Sequence, residues 1–168
     1  ILSKDGGRMS KRHGATSIFE YKNMGFLPEA LVNYLSLMGW APGNDVEILP
    51  IEGIIKLFDV KDVNKTGAIF DMDKLSWMNG QYIKKMDTDE LARRSEEYLK
   101  EKNVIDDKFD RGRWRGIAVA YKERTRTLED FAGVYRIFFS DEAEYDEKAV
   151  EKYLKKPNSK DIMNRCRF

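Results

Sequence analysis

The chain has very few of the residues that build disulfide frameworks and zinc sites. Its 168 residues include one cysteine, Cys166, and one histidine, His13. A lone cysteine cannot form a disulfide within the chain, and Cys166 and His13 are too far apart in sequence to form a zinc motif. We therefore expect no protein-bound metal, and a reducing, cytoplasmic setting.

Long apolar runs and a large net charge are also absent. No stretch approaches the roughly 18 consecutive apolar residues of a membrane-spanning helix, so no membrane partner is expected. Charged residues make up 35% of the chain but sum to +1, which excludes a uniformly basic nucleic-acid binder. Any nucleic-acid surface must be local. Because the sequence starts at Ile1 without a signal peptide or an initiator methionine, we interpret it as a piece of a longer protein.

Helical spacing of apolar residues dominates the sequence. Ser17 and Glu20 have the spacing of a capping box, and Asp71 is suited to cap a helix that runs to Met86. The other predicted helices are Ile18–Met24, Pro28–Met38, Ile51–Phe58, Asp89–Lys102, Lys108–Arg124, Leu128–Phe139 and Asp146–Lys156. Before them, the glycine-rich segment from Ile1 to Ala15 predicts a strand end, a tight turn and a loop. The helices become longer and more charged from Thr88, so we place a domain boundary near Asp87.

Two groups of apolar residues stand out. Ile51, Ile54, Ile55 and Phe58 share one face of their predicted helix. The large side chains of Trp40, Phe70 and Trp77 are interpreted as core anchors rather than as platforms for RNA bases.

Arg8-Met9-Ser10-Lys11-Arg12 is the most informative segment, because it places three cations in five residues between glycines. Glycine lets a backbone approach a ligand closely, and an ammonium group can follow charge that develops on a leaving phosphate. A polyphosphate-binding loop therefore fits the segment. By composition alone, a solvated basic turn fits the segment better, because short Lys/Arg clusters are common on surfaces and this is not a Walker-type phosphate loop.

This pentapeptide resembles the KMSKS signature of class I aminoacyl-tRNA synthetases, and the longer run DGGRMSKRHGA resembles the glutamyl branch of that class. Further segments follow in the order that the family uses: Phe26 to Leu35, Leu37 to Trp40, Ala68 to Asp71, and Lys74 to Asn79. The resemblance is dense up to about residue 83 and thinner afterwards. The chain is similar to a bacterial-type glutamyl-tRNA synthetase.

The resemblance implies that glutamate is activated with Mg-bound ATP and attached to tRNA(Glu) by a monomeric, cytoplasmic enzyme. Lys11 corresponds to the lysine that stabilises the adenylation transition state, with Arg8, Met9, Ser10 and Arg12 as further ATP-binding residues. The family's histidine-rich nucleotide signature is absent, so the chain lacks the nucleotide-binding catalytic fold and should be inactive alone.

For the fold, the resemblance implies a mainly α chain in two parts. Residues 1–86 would carry the ATP-signature loop and a helical tRNA stem-contact domain with a small strand and loop element at its start. Residues 87–168 would form the first part of a truncated, α-helical anticodon-binding bundle.

A second cationic cluster lies between Lys108 and Arg126, where seven residues are basic and two are acidic. The candidate RNA-binding residues are Arg111, Arg113, Arg115, Lys122, Arg124 and Arg126. The alternative is that Trp114, Ile117 and Tyr121 form a core face and the arginines are its solvated side.

Two other residues and two other functions need consideration. His13 is interpreted as orienting the loop or stacking on a base, since an ionised glutamate needs no general base, and Cys166 has no local histidine that would activate it as a nucleophile. The functional alternatives are a helical protein-interaction module and the glutaminyl-tRNA synthetase branch. The glutaminyl branch carries a β-barrel anticodon module, which the helical periods after Thr88 oppose.

Overall fold

The computed structural model describes residues 1–3, 6–8, 17–43, 46–64, 66–106, 109–139, 147–156 and 158–159. Within these residues the chain is mainly α-helical, which confirms the predicted fold class. The helices are α1 (Ile18–Asn23), α2 (Pro28–Ser36), α3 (Ile51–Leu57), α4 (Met72–Lys85), α5 (Thr88–Glu101), α6 (Arg111–Tyr121), α7 (Asp130–Phe139) and a short α8 (Glu147–Ala149). A 3-10 turn, Val60–Asp62, follows α3, and a π-helical turn, Val150–Leu154, follows α8.

The predicted strand and turn element at the start is present as two isolated bridges. Leu2 pairs antiparallel with Arg8 and parallel with Ile69. The turn between Leu2 and Arg8 is closed by hydrogen bonds from Ser3 N–H to Gly7 O (2.9 Å) and from Gly6 N–H to Ser3 O (2.9 Å). Gly6 has a φ of 80°, a left-handed conformation that glycine adopts without steric cost.

Helix starts follow the local signals in the sequence. The capping box of Ser17 and Glu20 is complete, with Phe19 N–H donating to Ser17 Oγ (3.3 Å) and Ser17 N–H donating to Glu20 Oε2 (2.9 Å). Asp71 accepts from Asp73 N–H (2.9 Å) at the start of α4, as predicted. Asp87 caps α5 in the same way, accepting from Asp89 N–H at 2.8 Å.

Most helices differ from their predicted bounds by one to three residues. α6 spans Arg111–Tyr121 rather than Lys108–Arg124, and α7 begins at Asp130 rather than Leu128, after a turn in which the Leu128 N–H donates to Gly25 O (2.9 Å) across the fold. The predicted capping pair of Thr127 and Asp130 forms in part, since Thr127 N–H donates to Asp130 Oδ2 (2.9 Å). The predicted helix 146–156 is divided between α8 and the π-helical turn.

The chain divides into two compact units, Ile1–Tyr135 and Arg136–Phe168. The first unit contains two aromatic cores. One is an apolar cluster formed by residues of α1, α2 and α4 and of the segments that precede α2 and α4: Tyr21, Phe26, Leu31, Tyr34, Phe70, Leu75 and Met78. In the other, Trp114 of α6 meets Phe131 of α7 edge to face, with ring centroids 5.8 Å apart. In the second unit, the described residues are the end of α7, α8, the π-helical turn and a few residues beyond it.

One prediction of the core was wrong. Trp40 and Phe70 are buried as expected, but Trp77 of α4 is 41% exposed. Of the four apolar residues predicted to share one face of α3, only Ile54 is buried, and Ile51, Ile55 and Phe58 are exposed. Helical spacing was correct in both cases, but it does not reveal whether another element covers the face.

Candidate nucleic-acid interface

The structure describes one residue of the predicted ATP-binding loop. Arg8 lies at the end of the Gly6–Gly7 turn, with its backbone bridged to Leu2 and its side chain exposed. Met9, Ser10, Lys11 and Arg12 lie outside the described residues, as do His13 and Cys166. The roles of these residues stay predictions.

Three cations of the second cluster, Arg111, Arg113 and Arg115, lie on α6, which packs beside α5. Asp110 begins α6 by accepting from Arg113 N–H at 3.1 Å. Trp114 is 0% exposed and donates from its indole N–H to Ser95 Oγ of α5 at 3.0 Å. Ile117, one turn later, is also buried. The core interpretation is therefore correct for Trp114 and Ile117, and the Trp114 ring is not accessible to an RNA base.

Arg111 forms an ion pair with a buried carboxylate on α5. Its Nε and Nη2 lie 2.8 Å and 2.5 Å from the two oxygens of Glu96, which also accepts from Lys100 Nζ at 2.6 Å. Glu96 is 5% exposed, whereas the arginine side chain is largely in solvent. The hydrogen bond from Arg111 is the main cause that lowers the pKa of Glu96. Much of the positive field of Arg111 is thus neutralised locally.

Arg115 is held in a similar way. Its Nε donates to Asp89 of α5, and this contact raises the pKa of the guanidinium. Arg115, Arg111, Glu96 and Asp89 line an open groove of about 500 Å³ between α5 and α6, with further charged residues of α5. The charges of the groove largely cancel, so it offers phosphates little net attraction. Arg113 projects from α6 with an exposed side chain.

The turn after α6 carries the other three candidates. Lys122 Nζ donates to Met86 O at the end of α4 and satisfies one of the carbonyls left open there. Arg124 and Arg126 are exposed, and neither guanidinium has an ion pair with any described residue. In the described part of the cluster, these two arginines are therefore the cations best able to contact a polyanion.

A buried amide fixes this turn against the first half of the chain. Asn79 of α4 is 0% exposed; its Oδ1 accepts from Leu27 N–H (2.7 Å) and its Nδ2 donates to Arg126 O (2.5 Å). Beside it, the Gly25 carbonyl accepts from Leu128 N–H at 2.9 Å. We call these contacts of Asn79, Gly25, Leu27, Arg126 and Leu128 the Asn79 junction. It holds the backbone of Arg126 in one place relative to α2 and α4.

Sequence reasoning missed the contribution of α4 to this surface. Lys84 Nζ lies 3.4 Å from Glu123 Oε2, and Lys85 follows it as an exposed residue. In the sequence these are ordinary last-turn cations that complement a helix C-terminus, and no local pattern marks their approach to a distant turn. Glu129 was also missed: it accepts from Tyr98 Oη, whose other contact is the Asn23 carbonyl at 2.6 Å.

The described residues contain no group of three or more His, Cys, Asp or Glu side chains able to hold a metal ion. Likewise, none of the helices in the described ranges has the length and apolar character that crossing a membrane requires.

Two protein-family models match the chain. The first, tRNA synthetases class I (E and Q), catalytic domain, matches residues 1–77, and the second, an anticodon binding domain, matches residues 90–167. The fold and the cationic turn described above are therefore those of a class I aminoacyl-tRNA synthetase. Within that class, the chain belongs to the glutamate–tRNA ligase family.

Individual relatives support this assignment. The chain is 38% identical over 170 residues to the glutamate–tRNA ligase of Moorella thermoacetica and 41% identical over 166 residues to glutamate–tRNA ligase 2 of Thermoanaerobacter pseudethanolicus. Each of these two alignments covers 99% of this chain and 35% of the relative. The crystal structure of a glutamate tRNA ligase from Elizabethkingia meningosepticum superposes with a TM-score of 0.78 at 30% identity, over 98% of this chain and 36% of that one. The chain thus spans about a third of the length of these relatives.

Proposed function

We propose that the chain is the tRNA-binding portion of a glutamate–tRNA ligase that activates glutamate with ATP and attaches it to tRNA(Glu). The supporting observation is the match to glutamate–tRNA ligases over 99% of the chain. The exposed Arg124 and Arg126 lie within the segment that the anticodon-binding family model matches. The described residues after Thr88 are helical, which favours the glutamyl branch over the β-barrel module of the glutaminyl branch.

In the proposed activation step, an oxygen of the glutamate carboxylate attacks the α-phosphorus of ATP, and the bond to the leaving pyrophosphate breaks. Lys11 stabilises the negative charge that grows on the departing phosphates, and Arg8, Met9, Ser10 and Arg12 bind the same polyphosphate. The carboxylate is already ionised at neutral pH, so the step needs no general base. Mg²⁺ would be bound to the phosphates of ATP.

In the proposed RNA contact, Arg113, Lys122, Arg124 and Arg126 neutralise phosphates, and Arg111 and Arg115 contribute less because Glu96 and Asp89 already share their charges. We further propose that residues 1–86 contact the tRNA stem and residues 87–168 belong to the anticodon-binding domain, in a monomeric, cytoplasmic enzyme.

Binding of a tRNA(Glu) transcript to the chain over a salt series tests the RNA-binding role. Affinity should fall as salt rises, with a slope that reports the number of phosphates neutralised. No binding at low salt, or binding that is independent of salt, would disprove the phosphate contacts.

The catalytic role of Lys11 is tested in the full-length enzyme. Lys11→Ala should strongly reduce exchange of pyrophosphate into ATP while leaving tRNA affinity nearly unchanged, because the lysine acts on ATP phosphates. Equal losses in both measurements would exclude an assignment to ATP.

A further inference from the structure

One face of α4 combines an exposed aromatic ring with a cation. Trp77, Gln81 and Lys84 follow one another at positions i, i+4 and i+7, which places them on one side of the helix. Trp77 is 41% exposed, whereas the other two tryptophans, Trp40 and Trp114, are 4% and 0% exposed. The described residues provide no ring partner for the Trp77 indole. An amphipathic ring of this size is available for contact from outside.

The cationic turn after α6 lies along the same side of α4. A Cβ atom on Gly80 would lie 3.6 Å from both the Cα and the Cγ of Arg126, so the two backbones run next to each other there. Lys84 reaches Glu123 at 3.4 Å. Two carboxylates lie at this turn, Glu123 and Asp130, which accepts from Arg126 N–H at 2.7 Å; they are outnumbered by Lys122, Arg124 and Arg126 together with Lys84. The ring is thus one helical turn from a surface of net positive charge.

We propose that Trp77, Lys84, Arg124 and Arg126 form an RNA-binding surface on which an unpaired base stacks on the indole and the adjoining phosphates contact the three cations. This inference rests on the proposed tRNA-binding function and adds α4 to it. Bases in unpaired RNA segments stack on aromatic side chains, and cations beside the ring neutralise the backbone that carries the base. Charge complementarity selects RNA as the occupant, because an apolar protein surface would leave the unpaired guanidinium groups without partners.

The accessibility of Trp77 gives a direct test. Acrylamide quenches the fluorescence of exposed tryptophans. Subtracting the fluorescence of the Trp77→Leu variant from that of the parent isolates the contribution of Trp77. Addition of tRNA(Glu) transcript should reduce this contribution several-fold, because a stacked base covers the ring. The measurement is made on the 168-residue chain and on the full-length enzyme. A Trp77 that stays equally accessible in the RNA complex, or is already covered in the RNA-free enzyme, overturns the proposal.

Affinity measurements provide the second test. Trp77→Leu retains apolar contact on the buried side of the residue but removes the stacking platform, so tRNA affinity should fall about tenfold or more, and Trp77→Phe should recover most of the loss. Lys84→Gln should reduce the slope of log affinity against log salt by about one. Lys56→Gln on α3 is the matched control. Tyr82 of α4 donates to Leu49 O, just before α3, at 2.6 Å. Because Tyr82 follows Gly80 by two residues, it lies on the opposite side of α4 from Gly80, so this contact is on the side away from the proposed RNA surface.

The failure of this inference is distinguishable from the failure of tRNA binding itself. If the parent chain binds tRNA with the expected salt dependence but Trp77→Leu and Lys84→Gln behave like Lys56→Gln, the surface is not an RNA site, and a protein contact at Trp77 is favoured. If the parent chain does not bind tRNA at low salt, both proposals are wrong. Thermal midpoints within a few degrees of the parent confirm that the variants are folded.

Discussion

The backbone of Gly25 lies directly against that of Leu128, whose N–H donates to the Gly25 carbonyl over 2.9 Å. A Cβ atom at position 25 would lie 2.8 Å from Leu128 N and 2.4 Å from Glu129 N, and Gly25 has a φ of +79°. Both the close approach and the left-handed backbone therefore require glycine. The α1–α2 turn and the start of α7 are joined at this point.

We expect Gly25→Ala to lower the free energy of unfolding by about 2–5 kcal/mol, the combined effect of a strained backbone and a steric overlap. Urea denaturation followed by circular dichroism measures the change. Gly80→Ala is the control, because its Cβ would meet its nearest atoms at 3.6 Å and alanine favours a helix. Similar losses from both substitutions would contradict the described contact.

Asn79 provides a second stability prediction. Asn79→Ala leaves the buried Leu27 N–H and Arg126 carbonyl without their partner, so the free energy of unfolding should fall by about 2–4 kcal/mol. Asn79→Asp separately tests the hydrogen bond that Asn79 Nδ2 donates to Arg126 O. Its carboxyl must be protonated to donate to Arg126 O, so the stability of this variant should improve as the pH is lowered towards 4 relative to the parent. Urea midpoints over a pH series measure both effects, and a pH-independent difference would exclude the donor role.

The pH dependence of stability should reflect the ion pairs of α5. Hydrogen bonds from Arg93, and next from Arg94, lower the pKa of Glu90 from 4.5 to about 2. A carboxylate whose pKa is lower in the folded state stabilises the fold above its unfolded pKa, and the effect is lost as pH falls towards the folded value. The stability gap between the parent and Glu90→Gln should therefore be full above about pH 5 and shrink progressively from there towards pH 2. An equal gap at pH 6 and pH 2.5 would contradict this assignment.

Two arginines of the cationic cluster should behave differently towards RNA. Arg124 is exposed without an ion pair among the described residues, so Arg124→Gln should reduce the salt slope of tRNA binding by about one and leave stability nearly unchanged. Arg111→Gln should affect stability more than RNA binding, because it deprives the buried Glu96 of its main partner. Filter binding and urea denaturation of both variants measure the contrast, and the opposite pattern would show that Arg111 is the phosphate contact.

The starts of helices could be predicted from the sequence because capping is local. The Ser17 and Glu20 box and the Asp71 cap each use atoms within four residues of one another. Other bounds were predicted less well: α6 ends at Tyr121 rather than Arg124, and α7 begins two residues late, after a turn in which the Leu128 N–H donates to a residue more than a hundred positions earlier in the chain. Periodicity likewise located the apolar face of α3 but could not show that most of it faces solvent.

For the candidate interface, composition identified the cations but not their availability. Arg111 and Arg124 are equivalent as sequence letters, and only the packing of α5 against α6 brings Glu96 to the first of them. Trp77 was assigned to the core because large aromatic residues usually lie there, yet the opposite face of α4 carries the buried Leu75 and Met78. Ion pairing and solvent exposure depend on tertiary packing, and the local sequence pattern determines neither of them.

The Asn79 junction also determines how the chain should lose its structure. The family models divide the sequence between residues 77 and 90, whereas the compact unit runs without a break from Ile1 to Tyr135. Asn79 connects backbone groups on both sides of that division. We therefore expect the two segments matched by separate family models to unfold together in one transition, and a protein cut between them to lose the partners that complete each half.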